Sequence, residues 1–174
     1  IGSAEAAGVF ALKASSQKKL LEIRKSGAED WCDYGETLIR LGRFDEAQDA
    51  FEAAARLDPT CVRAYQAPEL IKIEKARAEG EKMATQGIEA LQKKFYLTAA
   101  ERLERALELV PNQPEWIKLL AEVSLKTAEV DRASGLLARA RSFDSTDFKT
   151  SFNLARVYEF ENKVPLAIEL LTTI

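Results

Sequence analysis

The chain contains no histidine. That absence removes the usual general base at neutral pH and the commonest metal ligand. Ser–His and Cys–His nucleophilic pairs are excluded with it. Cysteine is nearly as scarce. Cys32 and Cys61 are the only two among 174 residues, too few and too far apart in sequence for a zinc site. They are compatible with a disulfide or with two reduced thiols, and the reduced form is the reading for a cytoplasmic chain. No glycine-rich phosphate loop is present. No apolar run approaches the roughly 20 residues that a membrane span needs, and Ile1 to Leu12 lacks the charged start and cleavage pattern of a signal peptide. Basic charge is not in excess either: 25 Lys and Arg against 28 Asp and Glu give a net charge of −3. That balance argues against nucleic acid as a partner. Acidic pairs such as Asp30 and Asp33, or Glu101 and Glu104, sit at ordinary helix-surface positions with nothing to raise a pKa. No catalytic residue, cofactor or metal is therefore assigned.

What is present is helical. Apolar residues recur with a 3.6-residue period almost throughout, and strand-like alternation is rare. Self-similarity gives more. Ala99, Ala133 and Ala167 follow one another at intervals of 34 residues, and Ala47 precedes Ala99 by one such interval and 18 further residues. Twelve positions before each alanine stands a small residue: Gly35, Gly87, Ala121 or Ala155. Three before it stands Phe44, Tyr96, Val130 or Val164. Four after it stands Phe51, Leu103, Leu137 or Leu171. Seven after it come Ala54, Ala106 and Ala140, then Ile174, where the pattern slips. Pro59 and Pro111 close the first two copies at a shared offset. Small residues let helices approach closely, and the large residue fills the space they leave.

This pattern resembles the tetratricopeptide repeat (TPR) family, whose signature runs W-x2-L-G-x2-Y, then A-x3-F-x2-A, then P. The first unit carries Trp31, Tyr34, Gly35, Leu38, Ala47, Phe51, Ala54 and Pro59. The second has Met83 for the tryptophan and Gln86 for the leucine, and the third has Ser145 for the proline. The resemblance implies an all-α fold, a right-handed α-solenoid of antiparallel helix pairs forming a superhelix. The expected division is an N-terminal helix at 1–27 (a cap or diverged repeat) and repeats at 28–61, 80–113 and 114–147. An incomplete repeat at 148–174 ends the chain, and a helical insertion at 62–79 extends into the second repeat. In the N-terminal helix, Ala4 to Lys25, the candidate buried residues are Val9, Phe10, Leu12, Leu20, Leu21 and Ile23. In the insertion, Pro68 predicts a short turn at Val62 to Gln66, then a long helix from Glu69 to about Lys93. Its buried stripe is expected at Ile73, Ala76, Met83, Gly87 and Leu91. These added turns are read as packing on the N-terminal helix.

The resemblance also implies a non-enzymatic protein-interaction module with a concave groove lined by the first helix of each unit. Family geometry assigns to that groove Cys32, Glu36, Ile39 and Arg40, then Ala84, Thr85, Ile88 and Gln92. It adds Glu115, Lys118, Glu122 and Lys126, then Lys149, Phe152, Asn153, Arg156 and Phe160. A subclass that clamps chaperone carboxylates needs Lys and Asn where this chain has Cys32 and Glu36, so that subclass is set aside. Lys118, Lys149, Asn153 and Arg156, beside Phe152, suit an acidic segment with an apolar anchor. Glu36, Arg40 and Glu122 complete the candidate peptide-binding set. Glu122 and Glu159 are expected to offset the cations. Two alternatives stand beside a scaffold or adaptor role. One is homo-oligomerisation through the last helix, where Leu166, Leu170, Leu171 and Ile174 have no following helix. The other is a regulatory domain attached to an enzyme. The expected setting is bacterial and cytoplasmic.

Overall fold

The computed structural model describes residues 2–23 and 26–172, with only the backbone for 2–5, 22 and 23. The Ile23 side chain, Lys25 and Ile174 lie outside the described residues. Among these there are nine α-helices and no strand. They are α1 (Gly2–Ile23), α2 (Ala28–Arg40), α3 (Phe44–Leu57), α4 (Val62–Gln92), α5 (Tyr96–Leu109), α6 (Pro114–Lys126), α7 (Val130–Phe143), α8 (Phe148–Phe160) and α9 (Val164–Thr172). The chain divides into two compact units, 1–78 and 79–174, and the boundary falls inside α4. Within each unit the helices pack on their sequence neighbours, the arrangement of an α-solenoid.

Local signals set the helix ends. Asp30 accepts the Gly27 N–H at 2.9 Å and, with Glu29, places acidic groups at the positive end of α2. Pro114 opens α6, where its missing N–H costs nothing. The turn inside each helix pair is built alike. Gly42, Lys94, Ala128 and Asn162 all take positive φ, between 60° and 71°. The next residue then donates its N–H back five positions: Arg43 to Leu38, Phe95 to Ala90, Glu129 to Ser124 and Lys163 to Tyr158, at 2.7–2.9 Å. This bond satisfies a carbonyl that the helix end leaves free.

The alanine columns form the crossings. In unit 1, Ala47 and Ala54 are fully buried, and a Cβ on Gly35 would lie 2.7–2.9 Å from the Phe51 ring. In unit 2, a Cβ on Gly87 would meet Leu103 Cγ at 2.9 Å and the Ala99 carbonyl at 3.3 Å. Ala121, Ala133, Leu137, Ala140 and Ala155 continue the same packing toward α9.

Three expectations are corrected. Pro68 does not interrupt the chain: α4 runs unbroken from Val62 to Gln92 with the proline inside it. One backbone bond is lost, but Ala64, Ala67 and Ile71 flank the proline on a face buried in the core of unit 1, which holds the helix through. Consequently the buried position is Ile71, and Ile73 is exposed on the opposite face. Second, Val9, Leu12 and Leu20 of α1 are exposed; the packed face carries Ala14 with Phe10, Gln17 and Leu21 partly covered. Third, on α9 Leu170, expected to lie uncovered, is buried against its own repeat, while Leu166 and Leu171 are exposed.

Candidate functional site

Unit 2 contains a groove of about 870 Å³ between α6 and α8, to which α7 adds Val130 and Leu137. Its volume lies in the range of ligand pockets, about 300–1,000 Å³. Lys118, Glu122, Lys149, Asn153 and Arg156 line it together, with Lys126 and Phe160 at its walls. Leu119, Leu125, Leu137 and Val157 supply an apolar floor, of which Leu137 and Val157 are buried. Phe152 does not line the groove; it stacks on Phe148 beside it, ring centroids 5.8 Å apart and planes 16° apart. Glu36 and Arg40 belong to unit 1, and each has an internal partner. Glu36 accepts from Arg63 at 2.6 Å, and Arg40 sits over the Phe10 ring at 5.4 Å. Cys32 and Ala84, assigned to the groove from sequence, are instead buried in the two cores. Their small side chains lie against neighbouring helices, which leaves nothing to present outward.

The groove's cations are of two kinds. Lys118 is already engaged: its ammonium lies 2.6 Å from Glu115 Oε1 and 3.2 Å from Asp147 Oδ2. Hydrogen bonding, first to Glu115, holds its pKa above the ordinary lysine value. Asp147 in turn caps α8, accepting the Thr150 N–H at 3.2 Å and its hydroxyl at 2.9 Å. Those bonds hold its carboxyl below the usual aspartate range, with Lys118 adding to the effect. Lys126, Lys149 and Arg156 have no side-chain hydrogen bond or ion pair among the described residues, and neither do Glu122 and Glu159. The expected neutralisation by these two carboxylates therefore does not occur by direct pairing. Sequence reasoning missed Asp147 and the leucine and valine floor. The first was visible as an Asp immediately before a helical run; the floor was not, because residues of three helices compose it.

No cluster of potential metal ligands occurs among the described residues, and no described helix is long and apolar enough to cross a membrane. Stacked helix pairs around an open groove define a class of helical-repeat interaction domains. Two family models, each described as a tetratricopeptide repeat, match residues 28–61 and 90–149, together more than half of the chain. The protein belongs to the tetratricopeptide repeat family, and that membership supports a protein-interaction scaffold.

Solved structures agree on the fold. MamA is 17% identical, with a TM-score of 0.53 over 97% of this chain and 88% of its own. The TPR domain of P58(IPK) is 20% identical, with a TM-score of 0.57 over 96% of this chain and 47% of its own. YrrB, described as a TPR protein with an unusual peptide-binding site, is 19% identical, with a TM-score of 0.50 over 91% of this chain and 90% of its own. Comparison with curated proteins by sequence gives no match.

Proposed function

We propose that the chain is a non-enzymatic adaptor whose unit 2 groove holds an extended acidic segment of a partner protein, anchored by one apolar side chain. The observation that carries this reading is the set of three unpartnered cations, Lys126, Lys149 and Arg156, around the apolar floor at Leu137 and Val157. Carboxylates meeting these cations form charge-assisted hydrogen bonds, and the arginine offers a bidentate fork. The floor takes an aliphatic or aromatic side chain of the segment. Glu122 and Glu159 repel acidic residues placed against them, so they set the register of the segment and not merely its charge. Asn153 offers both a donor and an acceptor to peptide backbone. The reading places the repeats at 28–61, 80–113, 114–147 and 148–174, with 62–79 as added turns of α4, and the chain in the cytoplasm. Nucleic acid is not a partner in it.

Binding of an acidic peptide array to the wild type, Lys149→Glu and Arg156→Glu tests the proposal. Affinity should fall about tenfold or more in each variant, since charge pairs of this kind contribute a few kcal/mol. Equal binding by all three proteins overturns it. A second reading is self-association through α9, favoured by exposed Val164, Leu166, Ile168 and Leu171 on a short helix. Light scattering across micromolar concentrations checks it, and a concentration-independent monomer rules it out.

A further inference from the structure

Cys32 and Cys61 are 29 positions apart, and the fold of unit 1 brings their sulfurs to 3.6 Å. Both are free thiols, Cys32 fully buried and Cys61 with 6% of its surface exposed. Cys32 lies in the second turn of α2, and Cys61 is the residue before α4, its carbonyl accepting the Tyr65 N–H. The contact is a property of the repeat and not an accident of one loop. In unit 2 the residues at the same two places in the 34-residue unit are Lys118 and Asp147, also 29 apart, and they touch as an ion pair. A disulfide bond is about 2.05 Å long, so small side-chain rotations suffice to close the remaining gap.

We propose that Cys32 and Cys61 form a reversible disulfide that fastens the start of α4 to α2. The oxidant is a low-molecular-weight disulfide such as glutathione disulfide. Cys61 loses a proton, and its thiolate attacks one sulfur of the oxidant. The oxidant's S–S bond breaks and one thiolate leaves, giving a mixed disulfide on Cys61. Cys32 then loses its proton and attacks the Cys61 sulfur, expelling the second thiolate. Two cysteines are oxidised by one electron each, the oxidant gains two, and two protons are released. The order follows from the surroundings. Cys61 keeps 6% of its surface exposed and stands at the mouth of the pair, just before α4, whereas Cys32 is fully enclosed. Burial pushes the Cys32 thiol up to about 12, which disfavours it as the first attacking group; its 3.6 Å distance from the Cys61 sulfur is what serves the second, intramolecular step. The bridge closes a loop through nearly all of the first repeat and restricts the unfolded chain, so it strengthens unit 1 and leaves the groove of unit 2 untouched.

The full chain is equilibrated in glutathione buffers of stepped oxidised-to-reduced ratio, quenched in acid, alkylated in denaturant and weighed by mass spectrometry. The wild type should lose two hydrogens, carry no glutathione and resist alkylation. It should also close at a reduced-to-oxidised ratio roughly a hundredfold more reducing in native buffer than in denaturant. Cys32→Ala should stop at a single glutathione adduct, and Cys61→Ala should take up none while folded. Two alkylatable thiols in the wild type, stable glutathione adducts, or equal closure in native buffer and denaturant overturn the proposal. Circular dichroism reports whether the variants fold, and if they do not, the wild-type comparison decides alone.

Discussion

The two units carry corresponding columns of the same repeat and use them in opposite ways. In unit 1, Arg63 at the start of α4 reaches back to Glu29, Asp33 and Glu36 at 2.5–2.8 Å. Those hydrogen bonds, Glu36 first, hold its pKa above the ordinary arginine value. Arg40 is likewise occupied, by the Phe10 ring of α1. The polar face of α2 is therefore closed by the protein's own side chains. In unit 2 the start of α8 contributes an aspartate, Asp147, that engages Lys118, and no described side chain engages Lys126, Lys149 or Arg156. A charge at a groove column is available to a partner only when the following helix lacks a counter-ion at the right height. Glu36 fits the pattern of a binding site but is taken by Arg63 of α4, and Arg40 is taken by the Phe10 ring of α1.

The strongest way to probe the comparison is at the crossings, where the two units should agree. Ala47→Leu in unit 1 and Ala133→Leu in unit 2 should each cost about 1–3 kcal/mol by overpacking. Ala53→Leu and Ala55→Leu, at partly exposed sites, should be milder in chemical denaturation. Equal penalties at all four would undo the register. Next, Asp147→Ala removes the α8 cap and a partner of Lys118 and should cost about 1–2 kcal/mol. The folded-state pKa of Asp147 is depressed, so its contribution is present above the ordinary aspartate value and is lost as pH falls through the lower folded value. The variant should lose that part of the acid sensitivity in thermal melts taken below the ordinary aspartate value.

Ala128→Gly should stabilise unit 2 by about 1 kcal/mol, because alanine pays for its left-handed backbone there and glycine does not. Gly42 already occupies the matching site in unit 1, so Gly42→Ala should cost a similar amount. The smallest effect is expected for Arg63→Ala. All three of its carboxylate partners are more than a third exposed, so the loss should stay under about 1 kcal/mol and shrink further in high salt. A larger, salt-independent loss would mean that Arg63 supports unit 1 by packing and not by charge.

Much of the architecture is legible along the chain because the crossings demand size, and size is written in residue type. Gly35 against Phe51 and Gly87 against Leu103 show why these columns cannot drift. The left-handed turn residues obey the same repeat register, yet only Gly42 and Asn162 carry a local signal. Lys94 and Ala128 adopt the conformation because the backbone bond to the preceding helix and the packed pair hold them there. Pro68 misleads for a related reason. Propensity describes an isolated helix, whereas Ala64, Ala67 and Ile71 bury one face of α4 around the proline. The exposed Val9, Leu12 and Leu20 misled because α1 has apolar residues on two faces, and sequence alone does not say which one a neighbour takes.

The order of small and large residues by itself determined the repeat, its period and the close crossings, since those depend on the volumes of single side chains against backbone. Only the tertiary structure decided which charges are free, and it alone brought the two thiols of unit 1 into contact. Pairing depends on distances between side chains about thirty positions apart, and those distances are set by how consecutive helices stack.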